Sequence, residues 1–111
     1  MVSGIYDLNA SPLGDPEIAY FGSDPSRYAE RSSLPGLLTT KIPLMIAAAE
    51  LDPPRFVEQF NLLKQAICKA PNGCGRATMV PQHSHMSEVY AINAVGTPLT
   101  DEILDFVKAG K

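Results

Sequence analysis

The stretch that decides the fold is residues 42–49, IPLMIAAA, an almost unbroken apolar run. A segment that is apolar on both faces is typical of a strand covered by helices on both sides of a parallel sheet. Pro43 stands near its start, where a missing backbone donor does least harm. We therefore predict a central, fully buried strand over residues 42–49.

A long helix is predicted directly after this strand, over residues 53–70. Asp52 is its expected N-cap, and two prolines follow it at the first turn. Residues 71–73, PNG, are expected to end it. Its apolar residues recur at helical spacing on a single face: Phe56, Phe60, Leu63, Ile67 and Ala70.

The segments before residue 42 are predicted from short-range signals. Residues 1–7 are rich in strand-forming side chains and predict a short buried strand. Two Asp-Pro pairs predict helix starts, giving short helices near 16–21 and 25–31. Residues 32–36 are expected to form a loop.

The segments after the long helix complete the pattern. Residues 76–80, RATMV, predict a third strand, and Thr100 is the expected cap of a final helix. Strands near 1–7, 42–49 and 76–80 that alternate with helices predict an α/β fold with a short, mostly parallel sheet. The apolar face of the final helix is expected to comprise Ile103, Leu104, Phe106 and Val107.

Composition limits the classes of protein to consider. The chain has 111 residues, is 45% hydrophobic and 19% charged, and has a net charge of −3. It is therefore expected to form one domain over 1–111, without the basic surplus of a nucleic-acid module. No apolar run approaches a membrane span, and no signal peptide opens the sequence, which predicts a cytoplasmic protein.

Three polar side chains are the candidates for chemistry: Asp52, His83 and His85. Asp52 follows the central strand, at the end where function gathers in open α/β sheets, and would either cap a helix or orient a histidine. The two histidines follow the third strand. They are interpreted as ordinary loop residues, as half of a metal site that lacks a third ligand, or as a source of a general base. We expect no metal and no cofactor.

Two further sequence features bear on possible chemistry. Cys68 and Cys74 flank the turn that ends the long helix, and two free thiols are preferred over a local disulfide in a cytosolic chain. A nucleophile elbow, Gly-x-Ser-x-Gly, is absent, because no serine has a glycine both two residues before it and two residues after it.

Taken together, four stretches resemble the C-terminal half of an α/β-hydrolase. The resemblance is to the esterase/lipase type that includes carboxylesterases, feruloyl-esterase-like enzymes and kynurenine formamidases. Residues 2–8 look like the sixth strand of that family, and residues 28–34 look like the approach to the seventh, with Ser33 where proline is usual. Residues 46–53, IAAAELDP, look like the seventh strand and acid turn, and residues 83–87, HSHMS, look like the histidine loop.

The resemblance implies roles for two residues. Asp52 would be the acid and His85 the base of a Ser-Asp-His triad, because His85 matches the second histidine of the family loop; the reverse assignment to His83 stays open. The implied activity is carboxylic ester hydrolysis on a small-molecule ester. Without a nucleophile, the chain is expected to be a fragment that is inactive alone. The alternative is a non-catalytic module or remnant that associates with itself or a partner through the exposed edge of its first strand.

Overall fold

The computed structural model describes residues 1–70 and 75–110 and has an α/β architecture. Strand β1 (Met45–Ala49) and strand β2 (Arg76–Val80) form a parallel sheet, in a register that runs from the pair Met45 and Arg76 to the pair Ala49 and Val80. The strand predicted over 76–80 is confirmed. The central strand is shorter than predicted, because it begins at Met45 and not at residue 42.

Six α-helices and one 3₁₀ turn surround the sheet in the described part of the chain. The helices predicted near 16–21, 25–31 and 53–70 are present, although the second is split into a 3₁₀ turn and a short α-helix. In chain order the helical elements are α1 (Asp15–Phe21), the 3₁₀ turn (Pro25–Arg27), α2 (Tyr28–Arg31), α3 (Leu34–Thr39), α4 (Pro54–Lys69), α5 (His85–Tyr90) and α6 (Pro98–Ala109).

The strand predicted over residues 1–7 is wrong for most of its length. Only Val2 bridges to Ala47, where the Ala47 N–H donates to the Met1 carbonyl at 2.8 Å and Ser3 N–H donates to the Ala47 carbonyl at 2.9 Å. The φ of Ser3 is 43°, which turns the chain away from β1. Beyond it, the buried Gln59 of α4 hydrogen-bonds the backbone of residues 6 and 7 in place of a strand partner.

Other boundaries also differ from those predicted. The loop expected over residues 32–36 is largely helical, because α3 begins at Leu34 with a proline in its first turn, where its missing N–H needs no partner. Helix α5 was not predicted at all. Helix α6 has Thr97 at its N-cap, so Thr100 lies inside the helix, where its hydroxyl accepts a hydrogen bond from the Asn93 N–H at 2.7 Å.

The two cysteines, Cys68 and Cys74, lie at and just after the end of α4 in the sequence. Residues 71–73, expected to end the helix, lie outside the described residues, as does Cys74. Cys68 is disulfide-bonded, so the preference for free thiols is wrong at this position. Because disulfides are uncommon in cytosolic proteins, this bond does not favour the expected cytoplasmic location.

Helices cover both faces of the sheet, and every residue of β1 is buried. One face packs against α4 through the apolar group Tyr6, Ile46, Ala48, Phe60, Leu63 and Ile67. The other face packs against α6 through Met45, Ala47, Val80 and Leu99. Of the predicted apolar face of α6, Ile103 and Phe106 join this second group, whereas Leu104 and Val107 are exposed. Within 1–70 and 75–110, the helices are too short or too polar to cross a membrane.

Candidate functional site

The loops that leave β1 and β2 are joined by backbone hydrogen bonds at the carboxyl end of the sheet. Glu50 N–H donates to the Val80 carbonyl and Leu51 N–H donates to the His83 carbonyl, each at 2.9 Å. The Glu50 carboxylate also accepts from the Gln82 N–H at 2.8 Å. These contacts hold the turn that contains Asp52 beside the loop that contains both histidines.

Asp52 is the buried centre of this region, and its side chain has no exposed surface. Its Oδ2 accepts hydrogen bonds from the Ala49 N–H at 2.9 Å and from the Ser3 hydroxyl at 2.5 Å. Its Oδ1 lies 2.8 Å from Nδ1 of His85. Pro53 occupies the N-cap position of α4, and the Asp52 carboxylate turns back toward β1. The prediction that Asp52 caps this helix is therefore wrong.

His85 is the first residue of α5, and its ring is held on two sides. Nδ1 contacts the Asp52 carboxylate, and the imidazole stacks on Phe56 of α4 with 4.3 Å between ring centroids. Among the described residues, no hydrogen bond engages Nε2, and 37% of the side chain is exposed. A carboxylate at Nδ1 favours the tautomer whose Nε2 is free to accept a proton.

His83 has a different environment, although it lies only two residues earlier. Its Nδ1 lies 3.3 Å from the Ser87 hydroxyl, within the first turn of α5. That hydroxyl also accepts from the Ser84 N–H at 2.8 Å, which helps to cap the helix. The structure thus brings Asp52 together with His85, whereas His83 is engaged in the start of α5.

Two residues that sequence reasoning missed complete the cluster: Ser3 and Glu88. The Ser3 hydroxyl contacts both Oδ2 of Asp52 and Oε1 of Glu88. Glu88 is completely buried, and its Oε2 has no hydrogen-bond partner among the described residues. Burial raises the pKa of Glu88, the contact with Ser3 opposes this rise, and the negative charge of Asp52 adds to it.

A sequence signal for Glu88 existed but depended on an unpredicted helix. His85 and Glu88 are three residues apart, so both lie on the same face of α5. The serine pair Ser84 and Ser87 at capping-box spacing was the local hint of a helix start. No comparable signal identified Ser3, which reaches the site only through its pairing beside β1.

The same cluster could hold a cation. Asp52, His85 and Glu88 each offer a ligand atom, and these atoms all lie within 4.8 Å of one another. Two carboxylates and an imidazole suit several divalent metals. This set differs from the His83–His85 pair considered from the sequence, because His83 does not belong to it.

Comparison with known proteins gives the chain no family. No protein-family model and no curated protein matches it. The α/β class is shown by the structure itself, and the resemblance to α/β-hydrolases remains a prediction from the sequence.

Proposed function

We propose that this chain is the acid- and histidine-bearing part of a serine carboxylic ester hydrolase, with a partial α/β-hydrolase fold. The observation on which the proposal depends is the Asp52–His85 pair. Oδ1 of the carboxylate lies 2.8 Å from Nδ1, no hydrogen bond among the described residues engages Nε2, and 37% of the His85 side chain is exposed. This is the arrangement that a general base needs when it is oriented by an acid.

In the proposed reaction, a serine from outside this chain attacks the carbonyl carbon of an ester. His85 accepts the serine proton at Nε2, and the buried Asp52 carboxylate stabilises the resulting imidazolium. The imidazolium then gives that proton to the departing alkoxide, which leaves as an alcohol. Water releases the acyl group from the serine by the same proton transfers, so His85 returns to its neutral form.

Ser3 is not a suitable nucleophile, although it is the serine nearest to the pair. Its hydroxyl lies against Asp52 and Glu88, and Asp52 in turn contacts Nδ1 of His85. A nucleophile has to be placed at the opposite nitrogen, Nε2. The proposal therefore requires a serine supplied from outside this chain, and we expect the chain alone not to hydrolyse esters.

The test begins with the coding sequence upstream of Met1, read in frame for a Gly-x-Ser-x-Gly motif. A longer product that contains this motif is then assayed with a p-nitrophenyl ester. We expect His85→Ala to lower kcat by about 10⁶-fold, and Asp52→Asn to lower it by about 10⁴-fold. His83→Ala is the matched control and should retain most activity. Full activity in His85→Ala would refute the proposal.

A second candidate is a non-catalytic module that pairs through the segment at the edge of β1. An open apolar pocket lies beside this edge and is lined by Met1, Val2, Met45, Leu99 and Phe106, among others. A strand of a second copy, added along residues 1–3, would cover it. Light scattering across a range of protein concentrations tests this. A dimer that Val2→Asp dissociates would support the second candidate, and a monomer at all concentrations would exclude it.

A further inference from the structure

We propose that Asp52, His85 and Glu88 form a binding site for one divalent transition-metal ion of the Zn²⁺ type. This inference goes beyond the proposed function and does not depend on it, because binding of the ion can be measured on the chain itself.

The first argument is the composition and spacing of the ligand set. Each of the three side chains offers one ligand atom, and these atoms all lie within 4.8 Å of one another. Oδ1 of Asp52 is 2.8 Å from Nδ1 of His85. Ligand atoms at about 2.0–2.2 Å from a tetrahedral Zn²⁺ are about 3.3–3.5 Å apart. Small rotations of the side chains would therefore bring all three ligand atoms to coordination distance.

The second argument is an oxygen atom that the fold buries without a partner. Glu88 is completely buried, and its Oε2 has no hydrogen-bond partner among the described residues. Such an atom lowers stability unless a donor or a metal ion satisfies it. In residues 1–70 and 75–110, no lysine or arginine forms an ion pair with Glu88 or Asp52. A cation beside Glu88 would supply the partner that Oε2 lacks.

The third argument is the support around the two acidic ligands. The Ser3 hydroxyl contacts Oδ2 of Asp52 and Oε1 of Glu88, which is one oxygen of each carboxyl group. The Ala49 N–H donates to the same Oδ2 at 2.9 Å. Both contacts leave the other oxygen of each carboxyl group, Oδ1 and Oε2, for a metal ion. Hydrogen bonds of this kind orient the ligands of metal sites, and Ser3 is the residue that joins the two acids here.

The exposure and chemistry of His85 indicate how the ion enters and which ion is preferred. The side chain of His85 is 37% exposed, whereas that of Asp52 has no exposed surface and Glu88 is completely buried. The ion would therefore enter beside the imidazole, where solvent can complete its coordination. An imidazole in the set favours Zn²⁺ over Mg²⁺ and Ca²⁺, which prefer oxygen ligands.

Occupation of this site would change the Asp52–His85 pair. Oδ1 and Nδ1 are in direct contact, and an ion coordinated by both side chains takes the place of that contact. The ion-bound arrangement and the acid–base pair of the proposed function therefore exclude one another.

The first experiment is calorimetric titration of the untagged, chelator-treated chain with Zn²⁺. We expect saturable binding of one Zn²⁺ per chain that excess Mg²⁺ does not displace. Glu88→Gln and His85→Ala should each raise the Kd at least about 100-fold, since a residue that only supports a ligand already contributes about 10–100-fold.

The matched controls for these variants are Glu58→Gln, which changes an exposed glutamate of α4, and His83→Ala. Both should leave the Kd for Zn²⁺ unchanged. Absence of saturable binding to the wild type, displacement by Mg²⁺, or an unchanged Kd in a folded Glu88→Gln would each overturn the proposal.

The second experiment is X-ray absorption spectroscopy of the Zn²⁺-loaded wild type, which does not depend on the folding of any variant. We expect only nitrogen and oxygen ligands at about 2.0–2.2 Å, with the scattering pattern of one imidazole. Two imidazoles would mean that His83 and His85 bind the ion together, and a sulfur ligand would place the ion at a cysteine. Either result would overturn the proposal. Because neither experiment measures ester hydrolysis, failure here and failure of the proposed function are distinguishable.

Discussion

The face of the sheet that packs against α4 and the carboxyl edge of the same sheet both contain buried side chains, but of opposite chemistry. The face is closed by apolar side chains, among them Leu63, which is fully inaccessible. The edge buries Asp52 and Glu88 with a single hydroxyl between them. We infer that the face responds to changes in volume, whereas the edge responds to changes of one proton or one donor.

Leu63→Ala is expected to produce the largest loss of stability and tests the apolar face. The free energy of unfolding should fall by about 2–5 kcal/mol, because the surrounding side chains of the α4 layer close the cavity only in part. Urea denaturation measures the loss. Leu63→Met nearly conserves volume and should cost less than about 1.5 kcal/mol. Equal losses in the free energy of unfolding for the two variants would show that side-chain volume does not determine the stability of this face.

His85→Ala tests the carboxyl edge and should have a smaller effect on stability. It removes the donor at Oδ1 of Asp52 and leaves a buried carboxylate with fewer partners, which costs about 1–3 kcal/mol. His83→Ala is the matched control. Denaturation of both variants at pH 7 makes the comparison, and a greater loss in His83→Ala would contradict the assignment of the pair.

The pH dependence of stability should distinguish Glu88 from its glutamine replacement. Burial raises the pKa of Glu88 in the folded chain, so the folded state retains a proton that the unfolded state loses. Its contribution is therefore greatest below the ordinary pKa of glutamate, and the free energy of unfolding falls as pH rises toward the folded pKa. Glu88→Gln should remove this decline. Parallel stability profiles of wild type and variant above pH 5 would contradict it.

His83→Ala itself should show the smallest effect, within about 0.5 kcal/mol of wild type. The His83 ring makes one long hydrogen bond, to Ser87, and the first turn of α5 retains the Ser84 and Ser87 contact without it. Thermal denaturation measures this difference. A loss of stability comparable with that of His85→Ala would mean that both histidines stabilise the loop after β2 to a similar extent.

The sequence was most informative where a pattern extends over many residues. The apolar run of β1, the periodic face of α4 and the strand Arg76–Val80 follow from local rules. So does the proximity of Asp52 and His85, since neighbouring parallel strands place their carboxyl ends together. Their catalytic role remains a prediction.

Other features depend on contacts between distant parts of the chain, which local patterns do not encode. Residues 1–7 have strand-forming composition, yet Gln59 of α4 takes their backbone groups and the strand does not continue. Helix α5 is only six residues long and has no apolar repeat to reveal it. The contact between Ser3 and Glu88 joins positions 85 residues apart, so it could not be predicted from local sequence and is seen only in the folded structure.

The backbone of Ser3 has a consequence for which amino acids position 3 can accept. Its φ of 43° lies in the left-handed region, which glycine adopts more readily than other residues. Glycine and alanine, however, would both remove the hydroxyl that faces the two acids. Threonine would keep the hydroxyl, but its branched Cβ fits this backbone poorly. Position 3 therefore has a conformational requirement, a left-handed backbone, and a chemical requirement, a hydroxyl that faces the two acids. In a saturation library at this position, serine should be recovered far more often than any other residue.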